Sequence, residues 1–90
     1  MNGASREMPR YKCHKTVHAL KIRHLVMMPD GGAEMTPDDE GYGSIALPSE
    51  YLVKHDPKPG GYYVVYKDGY ISFSPADVFE DGYTLEGGAA

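Results

Sequence analysis

The sequence predicts an α+β fold: a small, twisted, mostly antiparallel β-sheet of four to five strands with two short helices at its edges or on one face. Three observations predict it. In "GGYYVVYKDGYISFS", Asp68-Gly69 sits between two aromatic and β-branched runs, a strong short-range hairpin signal. In "TVHALKIRHLVMM" the apolar residues are spread too evenly for one helical stripe, and they alternate as a strand does. "PSEYLVKHDP" and "SPADVFEDG" each carry helix start and stop signals.

The elements follow in chain order. "MNGASREMP" is polar and aperiodic, so residues 1–9 are expected to be flexible, with one domain over 10–85 and a flexible tail over 86–90. About 75 residues then remain to fold, and a domain of that size buries only about 60% of its unfolded surface. It must pack well or self-associate. In the first strand, His18, Leu20, Ile22, His24, Val26 and Met28 form the better core face, with Val17, Ala19, Lys21, Arg23 and Leu25 opposite. "PDGG" reads as a hairpin turn leading into a strand edge over Ala33 to Met35, and "PDDEG" as a loop. "YGSIALP" is a further short strand. "PSEYLVKHDP" is one to two helical turns, capped by Ser49 or the residue before it and stopped by Pro57.

The Asp68-Gly69 hairpin is expected to use a type I′ turn, with positive φ at both central positions. In "SPADVFEDG", Ser74 is placed as the cap and Pro75 as the first helical residue. Asp77 lies in the first turn, where the helix dipole favours it, and Gly82 takes the left-handed closing position. Val78 and Phe79 face inward, and Tyr83 and Leu85 return as an extended tail. There is also a weak internal echo. "GYGSIALPSEYL" and "GYISFSPADVF" both run Gly-Tyr-x-Ser-apolar, then a proline, then a short apolar-faced helix. Two strand-to-helix units packed on one sheet would explain it.

Composition narrows the function. The formal net charge is −4 and the pI near 5.4. Phosphate backbones demand clustered Lys and Arg, which here crowd at the front (Arg6, Arg10, Lys12, Lys15, Lys21, Arg23), so the balance disfavours nucleic acid. Nothing approaches the ~20 apolar residues of a membrane span. No signal peptide is visible, and the lone Cys13 cannot form an internal disulfide, which together favour a reducing, intracellular compartment. Cys13, His14 and His18 in "CHKTVH" include zinc-ligating types, but a structural site needs four ligands in paired clusters, and no second Cys exists. As a nucleophile, Cys13 lacks a base facing it, since His14 points the other way on a strand. Asp38, Asp39 and Glu40 lack the regular ligand spacing of a calcium loop. No metal or cofactor is therefore expected, and no acid, base and nucleophile set marks an enzyme.

The tyrosines are the remaining signal. Tyr62, Tyr63, Tyr66 and Tyr70 lie on the predicted hairpin. Alternation sends Tyr62 and Tyr66 to one face with Val64, and Tyr63 and Val65 to the other. With no Trp and only two Phe, tyrosine must supply much of the core. The second face is then a candidate recognition surface, because Tyr offers large area, few rotatable bonds and a polar tip. An aromatic face can also stack nucleotide bases. The candidate binding residues are Tyr62, Tyr63, Tyr66 and Tyr70 with the acidic loop residues Asp38, Asp39 and Glu40.

The run "KPGGYYVVYKDGYISFSPADVFEDGYT" resembles the ending of many small phage and prophage proteins of unassigned function. The pattern is Pro-Gly-x-Tyr-x-Val, a short turn, then Ser/Pro-x-x-apolar-Phe-x-x-x-Tyr. It is matched by Pro59, Gly60, Tyr62, Val64, Asp68, Gly69, Tyr70, Ser74, Pro75, Phe79 and Tyr83. The front is similar to the family's opening strand through Lys15, Val17, Ala19 and Ile22. The resemblance covers about three quarters of the chain and brings no established catalytic residues. A looser similarity is to phage anti-defence proteins that sequester nucleotide signals in the Thoeris system. The chain lacks their opening helix and tryptophans, so that likeness is one of fold alone. The resemblance implies a phage or prophage protein and says little of its function; the leading expectation is a non-enzymatic accessory protein in the host cytoplasm that binds a host protein, as an anti-defence or host-takeover factor. The alternatives are an oligomeric binder of a nucleotide-like small molecule and a virion or structural component.

Overall fold

The computed structural model describes residues 8–11 and 15–85. Cys13 and His14 lie outside the described residues, as do 1–7 and 86–90 at the ends. Seven elements follow one another: β1 (His18–Met27), β2 (Ala33–Pro37), β3 (Ile45–Leu47), α1 (Ser49–His55), β4 (Tyr62–Val65), β5 (Ile71–Ser74) and α2 (Ala76–Gly82). The strands form one antiparallel sheet in the order β3-β2-β1-β4-β5, curled into a half-barrel. The expected α+β sheet with two short helices is thus the observed one.

β1 is the strand both halves share. His18 to Lys21 pair with β4, while Ile22 to Met27 pair with β2. The join is a bulge: Ile22 opposes Pro37 and His24 opposes Thr36, so Arg23 is the extra residue. The bulge overturns the predicted core face. Leu20 and Ile22 point inward as expected, but beyond Arg23 the alternation shifts by one. Leu25, opposite Met35, packs against the core, while His24 and Val26 face solvent. An inserted residue turns a strand's later side chains to the other face.

The core cluster is Ile22, Met35, Leu47 and Tyr51, ringed by Leu25, Ile45, Leu52, Tyr63 and Phe73. Helix α1 closes the side that the sheet leaves open. The Tyr51 hydroxyl donates to the Ser72 carbonyl at 2.8 Å, tying the helix to edge strand β5. Asp56 ends α1 at φ 46°, a left-handed position that Asp tolerates, and its N–H donates to the Leu52 carbonyl.

Two local devices occur twice. The β1–β2 and β4–β5 hairpins use the same three-residue turn. The Gly31 N–H donates to the Met28 carbonyl (3.0 Å) and the Gly69 N–H to the Tyr66 carbonyl (2.9 Å). The Met28 N–H in turn donates to Gly32 O (2.9 Å), and the Tyr66 N–H to Tyr70 O (2.8 Å). Asp30 and Asp68 each accept the N–H two residues on, from Gly32 and Tyr70. Gly31 and Gly69 sit at φ 90° and 91°. This is a tight turn followed by a left-handed glycine, a three-residue loop, and not the two-residue I′ turn expected. Asp68 keeps a negative φ because its side chain braces the turn instead.

The second device is strand–proline–helix, which gives the sequence echo a structural basis. Pro48 (φ −70°, ψ 159°) leads from β3 into α1, and Pro75 (φ −60°, ψ 154°) from β5 into α2. Pro75 is therefore the residue before the helix, and neither helix has a side-chain cap. The Ser74 hydroxyl instead bonds the Pro75 carbonyl, and Asp77 accepts the N–H of Val78. Gly82 is the last helical residue and lacks a positive φ, because the chain leaves α2 through an extended Tyr83. Val78 is exposed, so Phe79 is the apolar side chain that docks this helix on the sheet.

Glycine at 61 is demanded by packing. A Cβ there would meet the Phe73 ring and, at 2.9 Å, the Ser74 carbonyl oxygen. Gly61→Ala is expected to destabilise the fold by about 1–3 kcal/mol, since edge strand β5 must shift to admit it. Urea denaturation checks this, and a change below about 0.5 kcal/mol would contradict the close approach.

Candidate functional site

The seven candidate residues do not converge; they divide into three environments. Tyr63 lies opposite Leu20 and Phe73 in the sheet and packs against the core cluster, its ring 5.9 Å from that of Tyr51. Its neighbours explain its place: the alternation that points Ile22 inward carries Leu20 and Tyr63 with it.

Tyr62 is on the opposite face, beneath α2. Its ring stacks on Phe79 at 4.1 Å, and Phe79 stacks on Tyr83 at 4.6 Å. The Tyr62 hydroxyl donates to Glu80 Oε2 at 2.8 Å, and Lys21 Nζ reaches the same oxygen at 3.3 Å. Burial first, then the Glu80 hydrogen bond and the Glu80 and Asp38 charges, push the Tyr62 phenol up to about 12. The phenol and Lys21 hold the Glu80 carboxyl below its ordinary value. The acidic loop begins beside this cluster. The bulged Arg23 bonds Asp38 twice, through Nε to Oδ1 (3.3 Å) and through Nη2 to the backbone carbonyl (2.9 Å). Asp39 turns back to accept the Gly41 N–H, and Glu40 is exposed.

Tyr66 and Tyr70 flank the β4–β5 turn and do form a surface. Their rings stack with centroids 5.9 Å apart, and Tyr70 meets the His55 ring edge-on at 6.3 Å. Lys15 Nζ lies 5.0 Å over the Tyr66 ring and Lys54 Nζ 5.1 Å over the Tyr70 ring. An open concavity of about 930 Å³ runs here, lined by Lys15, Thr16, His18, Tyr66, Lys67, Asp68 and Tyr70. The aromatic part was visible in the sequence. The cationic part was not, because Lys15, Lys54 and Lys67 come from the lead-in to β1, from α1 and from a turn, and only the fold gathers them. Among the described residues no group of three or more His, Cys, Asp or Glu is placed to hold a metal ion.

The chain is similar to one solved structure of a phage protein. The NMR solution structure of the monomeric form of the phage L decoration protein superposes with a TM-score of 0.63 and 26% sequence identity, over 82% of this chain and 55% of that one. The chain thus spans little more than half the length of that protein. No family model matches the chain, and no match was found among curated proteins.

The three environments predict different responses to mutation. Tyr63→Ala is expected to cost about 3–4 kcal/mol, as removal of a large ring from a core does. Tyr70→Ala, at 45% exposure, is expected to cost less than about 1 kcal/mol. Equal costs in chemical denaturation would contradict the division. The Tyr62 contact also has a pH signature. A raised phenol pKa contributes stability that is complete below pH 10 and is lost as pH rises toward about 12. The lowered Glu80 carboxyl contributes above its ordinary value and its share is lost in acid. In ¹³C-tyrosine NMR, Glu80→Gln should move the Tyr62 titration down from about 12 toward 10, and an unmoved titration would remove Glu80 as a cause.

Proposed function

We propose that this chain is a structural accessory component of a phage particle, attaching to an assembled head as a decoration protein. The likeness to the phage L decoration protein supports this reading: it extends over most of the chain and includes sequence identity as well as fold. The physical character of the molecule agrees. Decoration requires a complementary surface and no reacting group. The titratable groups with clear shifts among the described residues, Tyr51, Tyr62 and Glu80, each serve packing or helix docking.

The likeness favours the virion component over the host-protein binder with an anti-defence role, for which it offers nothing. The nucleotide-stacking alternative also loses its geometry. Tyr66 and Tyr70 stack on each other with centroids 5.9 Å apart, which leaves no slot between the rings for a base, and Lys15 and Lys54 each lie over one of them.

Purified protein mixed with purified heads of the phage that encodes it, stripped of accessory proteins, should co-sediment and saturate at a fixed number of copies per head. Mass spectrometry should find the same protein in native particles. Intact heads that carry none of it in either experiment would overturn the reading.

A further inference from the structure

We propose that the lysine–tyrosine concavity around the β4–β5 turn is the docking surface, and that it takes an acidic segment of a protein partner. For the partner's identity as a phage head protein, this inference rests on the function proposed above.

The first argument is the distribution of charge. Lys21, Arg23 and Lys58 are each paired with a carboxylate, on Glu80, Asp38 and Asp56. Arg10, Lys15, Lys54 and Lys67 make no salt bridge among the described residues, and of these the three lysines all border the two tyrosines. The chain as a whole carries −4, so an unneutralised positive patch is not a by-product of composition. The carboxylate within the patch, Asp68, is committed to the Tyr70 N–H and braces the turn. Unpaired cations gathered on one face complement carboxylates on a partner.

The second argument is preorganisation. Two of the ammonium groups stand over ring faces, which restricts long side chains that would otherwise be costly to order on binding. The rings themselves are set on a three-residue turn closed by two backbone hydrogen bonds and the Asp68 side chain. The Tyr66 and Tyr70 hydroxyls donate to no acceptor among the described residues, whereas those of Tyr51 and Tyr62 are spent inside the fold. The concavity therefore offers ammonium and phenol donors at its rim over an aromatic floor. That set recognises Asp and Glu side chains on a protein surface, the setting in which tyrosine anchors contribute most. A nucleic acid is the less favoured partner: the patch holds no arginine, its two rings stack on each other, and the chain as a whole is acidic.

Two arms test this. In the first, Lys15→Glu/Lys54→Glu/Lys67→Glu is compared with wild type and with Lys58→Glu for binding to stripped heads, with circular dichroism confirming the fold of each. The triple variant should bind at least tenfold more weakly, Lys58→Glu should bind within twofold of wild type, and wild-type binding should weaken as NaCl rises. Undiminished binding by the folded triple variant overturns the proposal. In the second, ¹⁵N-labelled protein is titrated with a soluble Asp/Glu-rich peptide and, separately, with a single-stranded oligonucleotide of equal charge. Shifts concentrated at Lys15, Lys54, Tyr66, Lys67 and Tyr70 with the peptide support it. Shifts centred elsewhere, or tighter binding of the oligonucleotide, overturn it. Wild-type protein that ignores heads but binds the peptide at these residues would remove the head as partner and keep the surface.

Discussion

The bulge at Arg23 is the constraint from which the rest of the structure follows. One strand has to serve two half-sheets, because a chain this short cannot build two independent cores. Up to Lys21, β1 is paired with β4; from Ile22 onward it is paired with β2. Ile22 sits at the change-over, 1% exposed, with its N–H donating to Gly61 O and its carbonyl accepting from Gly60. Turning the strand at that point wraps the two halves around a single cluster, so Leu25, Met35 and Ile45 meet Tyr63 and Phe73 across it. The displaced Arg23 is not idle. Its two bonds to Asp38 fix the start of the loop after β2, and the Asp38 N–H donates to Lys21 O on the other side of the bulge.

Local rules read most of the secondary structure correctly because the punctuation is strong. Asp-Gly between aromatic runs and proline before each helix are signals with a mechanism, and both hairpins and both helices stand where those signals fall. What local rules missed were choices between near-equal local solutions. A strand's inner face was read by strict alternation, and no residue type in "ALKIRHLV" announces an insertion; only the need to pair with two partners does. The turn type was missed for a similar reason. Asp-Gly suits a two-residue turn, but an Asp carboxylate that accepts the following N–H stabilises the longer loop instead, and "PDGG" adopts the same solution. The echo between the two strand–proline–helix units was faint in sequence and plain in backbone angles, since proline fixes φ wherever it falls.

The tyrosines were legible as a class and not as individuals. Alternation separated Tyr62 from Tyr63, but could not say which face α2 would cover, since that depends on where Phe79 lands after a proline-led turn. It landed on Tyr62, so both faces of β4 are put to use, one on the core and one under a helix. The acidic loop was tied to the tyrosine face by charge type alone. In the fold Asp38 belongs with Tyr62 and Arg23, apart from the Tyr66–Tyr70 pair.

A hydroxyl partner marks two tyrosines that fix an element, while Tyr63 is structural through its packing against the core, its hydroxyl making no bond among the described residues. A small domain without tryptophan must fill its core with rings that carry a polar tip, and a buried phenol without an acceptor costs about 1–3 kcal/mol. Tyr51 meets that demand with a β5 carbonyl and so joins helix to sheet; Tyr62 meets it with Glu80 and so holds α2. Each of these hydroxyls fixes an element and cannot also serve a partner without releasing it. Tyr66 and Tyr70 fix no element through their hydroxyls, and their rings are braced by each other, by lysines and, for Tyr70, by the His55 ring of α1. They flank the β4–β5 turn, beside lysines that make no salt bridge among the described residues. A residue held in place but not required for folding is free to be shaped by what it binds.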